Sequence, residues 1–152
     1  YFRRGAGGSY NNVVCYNWIT RGFGADNFDS ISPNITNGDF TMNGILLWDN
    51  GKNANRANTL EGQILENLQP FATGEVGQGR NFLVADPRMR RPLERNDPDF
   101  RPLLGSPLYR ANWVQPPDNG FFDQWANWIG AFGEVNWTEE WTNFLQEQDI
   151  KP

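Results

Sequence analysis

The 152-residue chain carries 13 basic against 18 acidic residues, a net charge of −5. It is long enough for one domain with a real core, and its acidic balance argues against nucleic acid or an anionic membrane surface as a partner. It has no His and a single Cys, Cys15, which excludes an intrachain disulfide, a Cys-based zinc site and every Ser-His or Cys-His catalytic pair.

Asn, Gly and aromatic residues are abundant and Lys is confined to Lys52 and Lys151. Asn and Gly are poor helix formers, so the composition suits short strands and tight turns. No apolar run approaches the roughly 20 residues that span a bilayer, so no membrane span is expected. The chain opens at Tyr1 without a Met. That start is expected of a mature secreted product or of the C-terminal part of a longer polypeptide.

Residues 1–18 read as strand, turn, strand. Gly5-Ala6-Gly7-Gly8-Ser9 is the turn, and Tyr10-Asn11-Asn12-Val13-Val14-Cys15-Tyr16 follows with β-branched and aromatic residues. Residues 21–39 are rich in Gly, Asn and Asp and are expected to form a surface loop. Residues 40–49 return to strand character around Ile45-Leu46-Leu47-Trp48, with Asn50-Gly51 as a turn. Residues 53–58 read as polar loop.

Leu60, Ile64, Leu65 and Leu68 share one helical face, so a helix is expected over residues 59–68, stopped by Pro70. Residues 82–87 read as a short strand ending at a proline turn, and residues 88–97 as a charged extended linker. In residues 99–107, Phe100 and Leu103 or Leu104 are the expected inward anchors, and Arg101 is expected to pair with a carboxylate or with backbone carbonyls. Residues 120–123 and 128–133 read as extended and aromatic. A short helix is expected over residues 136–145, with Trp137, Trp141, Phe144 and Leu145 on one face.

Four constellations bear on chemistry. Asp26 with Asp29, and Asp97 with Asp99, lie in turn-rich stretches that suit capping of the turn backbone first and Ca²⁺ second. Arg3, Arg4, Arg88, Arg90, Arg91 and Arg95 read as partners for nearby acids. Trp113, Trp125 and Trp128 suit stacking on sugars or filling a core poor in aliphatic residues. Glu139-Glu140 with Asp123 reads as a solvated acidic face. No catalytic residue is assigned. If residues 1–18 begin a stack of strands, Tyr1, Phe2, Arg3, Arg4, Tyr10 and Val13 mark an edge with nothing to cap it, and bare edges template association.

Three separated blocks carry a resemblance. They are Phe2-Arg3-Arg4-Gly5 with Tyr10-Asn11-Asn12-Val13-Val14; Asp99-Phe100-Arg101-Pro102-Leu103-Leu104-Gly105-Ser106-Pro107; and the aromatic tail from Phe121-Phe122-Asp123 to Trp141-Thr142. Together they resemble the C-terminal part of secreted bacterial right-handed parallel β-helix proteins. The resemblance implies a mainly β fold with one or two β-helix rungs, long loops, one or two short helices and an aromatic C-terminal cap. It implies rungs with an inserted loop over residues 1–58 and a cap over 59–152. The expected role is an extracellular, non-enzymatic, self-assembling module of a surface or fibre protein. Its partner is a second copy stacked head to tail, or the upstream part of the same protein. The alternative is a carbohydrate-binding or polysaccharide-degrading protein whose active coils lie upstream. No cofactor is implied beyond possible Ca²⁺.

Overall fold

The computed structural model describes residues 1–51, 58–64, 66–74, 80–110, 113–139 and 142. Among these residues, five strands and three short α-helices follow in the order β1 (Gly8–Tyr16), α1 (Ser32–Asn37), β2 (Phe40–Trp48), α2 (Leu60–Gln63), α3 (Gln69–Thr73), β3 (Arg80–Val84), β4 (Met89–Arg91) and β5 (Asp99–Pro102). The fold is therefore mainly β. β1, β2 and β3 form an open parallel sheet in chain order, and β4 and β5 form a separate antiparallel pair.

The register of β1 on β2 runs from Gly8 opposite Phe40 to Tyr16 opposite Trp48. At the level between Asn11–Asn43 and Val13–Ile45 stand Asn12 and Gly44, with φ of 56° and 63°. Left-handed backbone turns a strand, and Asn and Gly are the residues that adopt it most readily. Both strands therefore bend at the same level.

A second set of parallel contacts lies away from the sheet. Phe2 bridges Ala25, and Phe23 bridges Ile64. The Asn67 side-chain amide brackets the Ala25 peptide, accepting from its N–H and donating to its carbonyl. Between the two sets, Asn17 N–H donates to Trp48 O (3.1 Å), Gly51 N–H to Trp18 O (2.8 Å) and Gly22 N–H to Gln63 O (2.9 Å). The chain thus passes three times through the same two stations.

Asn50 ties successive passes together. Its side chain donates to Cys15 O (2.9 Å) and Gln63 Oε1 (2.8 Å) and accepts from Trp18 N–H (3.0 Å), while the residue is 2% exposed. A buried amide is tolerated only with such partners.

Alternate residues of the sheet face opposite ways. Val13, Cys15, Ile45, Leu47, Phe82 and Val84 point into the main core beside Phe2, Phe23, Phe40 and Phe71. Phe40 anchors that core, with edge-on rings of Phe2 at 4.8 Å and Phe71 at 5.4 Å. Val14, Leu46 and Leu83, aligned in register, point outward. They are covered by Leu108, Ile129, Met89 and Trp113. The C-terminal region therefore lies across the outer face of the sheet.

Several expectations are corrected. Residues 21–39 are not a surface loop: Phe23, Ala25, Ile31 and Ile35 are buried, and α1 starts with Pro33 in its first turn and ends on Gly38 at φ 80°. Proline suits a first turn and glycine a left-handed C-cap. The helix expected over 59–68 ends at Gln63, because Ile64 becomes extended and bridges Phe23. Pro70 sits in the first turn of α3 instead of stopping a helix. The linker 88–97 contains β4, which pairs with β5. Leu103 and Leu104 are not anchors, being 42% and 96% exposed; Pro102, Ser106 and Leu108 turn inward in their place. Residues 120–123 and 128–133 are bends and turns, not strands. The loop 53–58, apart from Asn58, lies outside the described residues. So does half of the helix expected over 136–145; of the described half, residues 137–139 form a turn.

Candidate functional site: the open edge of β1

Among the described residues, β1 has a strand on one side only. In a parallel ladder the N–H and C=O of one residue point to the same neighbour, and the next residue points the opposite way. Gly8 N–H donates to Asp39 O (2.7 Å), so Gly8 and Tyr10 face β2, while Ser9 and Asn11 face the open edge. Beyond the bend at Asn12, Asn17 N–H donates to Trp48 O. Cys15 and Val13 therefore face β2, and Val14 faces outward.

Asn12 closes part of this edge. Its carbonyl accepts from Gly130 N–H (2.8 Å), and its side chain exchanges two hydrogen bonds with the Val114 backbone (2.7 and 2.8 Å). Among the described residues, no backbone hydrogen bond reaches Ser9, Asn11 or Val14 from the outer side. Beside the same edge lies an apolar groove of about 600 Å³, lined by Val14, Trp18, Leu93, Phe100, Ile129 and Phe132 among others.

The six edge residues expected from sequence divide. Tyr10 and Val13 lie on β1 but turn their backbones toward β2. Phe2 is buried and bridges Ala25. Arg3 pairs with Asp26 (2.7 Å) and lies 5.3 Å from the ring centre of Tyr1, which is exposed. Arg4 is exposed, at φ 50°. The outward positions Ser9, Asn11 and Val14 are set by which way the ladder runs, and that becomes visible only once β2 is placed.

The acidic pairs meet arginines. Asp26 engages Arg3, and Asp97 engages Arg91 (2.8 Å). Asp99, 1% exposed, accepts from Arg101 Nε (2.9 Å) and Nη2 (2.8 Å), with Arg90 at 4.0 Å. The Arg101 hydrogen bonds hold the Asp99 carboxyl below the usual carboxylate range against the opposing effect of burial. Asp29 sits exposed in the 3-10 turn Phe28–Ser30, its N–H held by the Asn27 side chain (2.9 Å). No group of three or more His, Cys, Asp or Glu comes together among the described residues.

The three tryptophans occupy different settings. Trp113 packs against the outer cluster of the sheet. Trp128 covers Gly133, where an added Cβ would sit 2.8 Å from the indole. Trp125 is 86% exposed. Cys15 is buried, and burial pushes its thiol up to about 11.

No family model matches the chain, and no curated protein or solved structure matches it significantly. Among the described residues no helix is long and apolar enough to cross a membrane.

Proposed function

We propose that the chain is a segment of a parallel β-helix whose role is structural, and that it assembles by pairing the open edge of β1 with a parallel strand of a second copy. The three passes through two stations support successive coils. The bends at Asn12 and Gly44 support corners between two faces. The observation that carries the assembly is the outward row of Ser9, Asn11 and Val14. β3 forms the opposite edge of the sheet, so one copy can offer β3 to β1 of the next. Such head-to-tail contacts do not close, and they propagate into a filament. The sequence resemblance implies a non-catalytic module of this kind at the bacterial surface or outside the cell.

Asn11→Pro tests this. Proline removes an N–H that faces outward and leaves the β1–β2 ladder intact, which is why edge strands accept it. The wild-type chain is expected to sediment as oligomers that lengthen with concentration. Asn11→Pro is expected to be monomeric with little change in melting temperature. A wild-type chain that is monodisperse and monomeric at every concentration overturns the assembly.

A further inference from the structure

A second concavity lies on the C-terminal region, and its chemistry differs from that of the groove beside β1. It encloses about 590 Å³ and is lined by Trp128, Trp137, Tyr109, Asp123, Asn127 and Glu134, with small residues between them. That volume suits a mono- or disaccharide-sized ligand. Trp137 stacks one face on Phe132, 4.9 Å away and inclined by 15°, and its Nε1 donates to Ala131 O (2.9 Å). The indole is thereby held in place while 47% of the residue stays exposed. Trp128 is held against Gly133. Two positioned indoles thus meet four polar side chains in one basin.

The polar side chains set the ligand's charge. Asp123 and Glu134 supply two carboxylates, and no cationic side chain lines the basin among the described residues. Arg90 acts on Tyr109 without lining the basin, while burial and Glu134 push the Tyr109 hydroxyl up. Carboxylates accept hydrogen bonds from hydroxyl or ammonium groups and repel anions. Indole faces take the C–H face of a pyranose ring, an apolar surface rimmed by donors.

The geometry points to a saccharide-binding site for neutral or amino sugars that excludes uronic acids. It is independent of assembly at β1, because none of the six named residues belongs to that strand. Of the tryptophans proposed from sequence for sugar contact, Trp128 alone belongs to it. Trp137 joins it through the turn at residues 137–139.

Saturation-transfer NMR with the tetrasaccharides of glucosamine, glucose and galacturonate tests the site on the full chain. Transfer to the glucosamine or glucose oligomer, with none to galacturonate, is the expected result. The stronger of the two positive signals separates ammonium from hydroxyl recognition. Asp123→Asn combined with Glu134→Gln is expected to weaken the bound oligomer at least tenfold, with the melting temperature unchanged. Asn keeps the oxygen that accepts from Trp125 N–H (2.9 Å). No transfer to any oligomer, equal transfer to galacturonate, or undiminished binding by the double variant each overturns the proposal.

Discussion

Asp99 shows how a single buried charge is held. Its carboxylate is shielded from water, yet Arg101, two residues along the same strand, returns two charge-assisted hydrogen bonds and adds its own N–H at 3.0 Å. Because Arg101 holds this carboxyl below its ordinary value, the unfolded chain takes up the proton at a higher pH than the folded chain does. The stabilisation is therefore fully present above the unfolded value and is lost as pH falls through the folded one, in the window below about pH 4. Asp99→Asn is expected to destabilise the fold by about 1.5–3 kcal/mol at neutral pH, since hydrogen bonds to charged groups are worth that much. The difference from wild type should shrink in acid. Urea denaturation at pH 7 and pH 3 measures both. A gap that widens at pH 3 would show that the Arg101 pair is not what holds the carboxylate.

At the scale of elements, the turns that join one pass to the next are as tightly specified as the strands. Gly51 adopts φ 80°, donates to Trp18 O and would place a Cβ 2.8 Å from the backbone oxygen of Thr20. A side chain there meets left-handed strain of about 1–2 kcal/mol and a fixed backbone atom. Gly51→Ala is expected to cost more than about 2 kcal/mol, measured as a fall in the urea midpoint at constant slope; an unchanged midpoint would show that this turn shifts freely. The same logic explains what could be read from the chain and what could not. β1 and β2 announce themselves through Val13-Val14 and Ile45-Leu46-Leu47, because β-branched and aliphatic residues suit a pleated, buried surface. A structural role for Arg101 was legible too, with a carboxylate and backbone carbonyls as alternative partners, and Asp99 decides between them. Phe23, Ala25 and Ile31 were not, because isolated apolar residues among Gly, Asn and Asp carry no period of 2 or 3.6. Their burial comes from bridges to Phe2 and Ile64, and those depend on pairing distant segments. Ile64 left its helical pattern for the same reason. The open edge was legible as an idea, but the residues that face outward follow from ladder parity. The saccharide basin was visible only through Trp128, since its acids and aromatics lie on bends that no periodicity marks.

At the scale of the whole molecule, the sheet is apolar on both faces, as parallel sheets generally are. One face looks into the aromatic core. The other, Val14-Leu46-Leu83, depends on the C-terminal region for cover. Ile129 is the fastening point: it is 1% exposed, its N–H donates to Leu108 O (2.9 Å), and the next residue, Gly130, sits against Val14 and donates to Asn12 O. If the region clamps the sheet, loosening it must open the core on the far side of the same strands. Cys15 reports that opening, because its buried thiol, pushed up to about 11, is unreactive until the core is exposed. Ile129→Ala is expected to cost about 2–5 kcal/mol. Labelling of Cys15 by a thiol reagent in native buffer should then accelerate by about 30-fold or more, since each 1.4 kcal/mol is tenfold in the open population. Urea unfolding followed by circular dichroism and by tryptophan fluorescence should remain one coincident transition at a lower midpoint. If Ile129→Ala instead splits the two signals, with fluorescence lost first and Cys15 still protected, the C-terminal region is a separate unit resting on a sheet that stands without it.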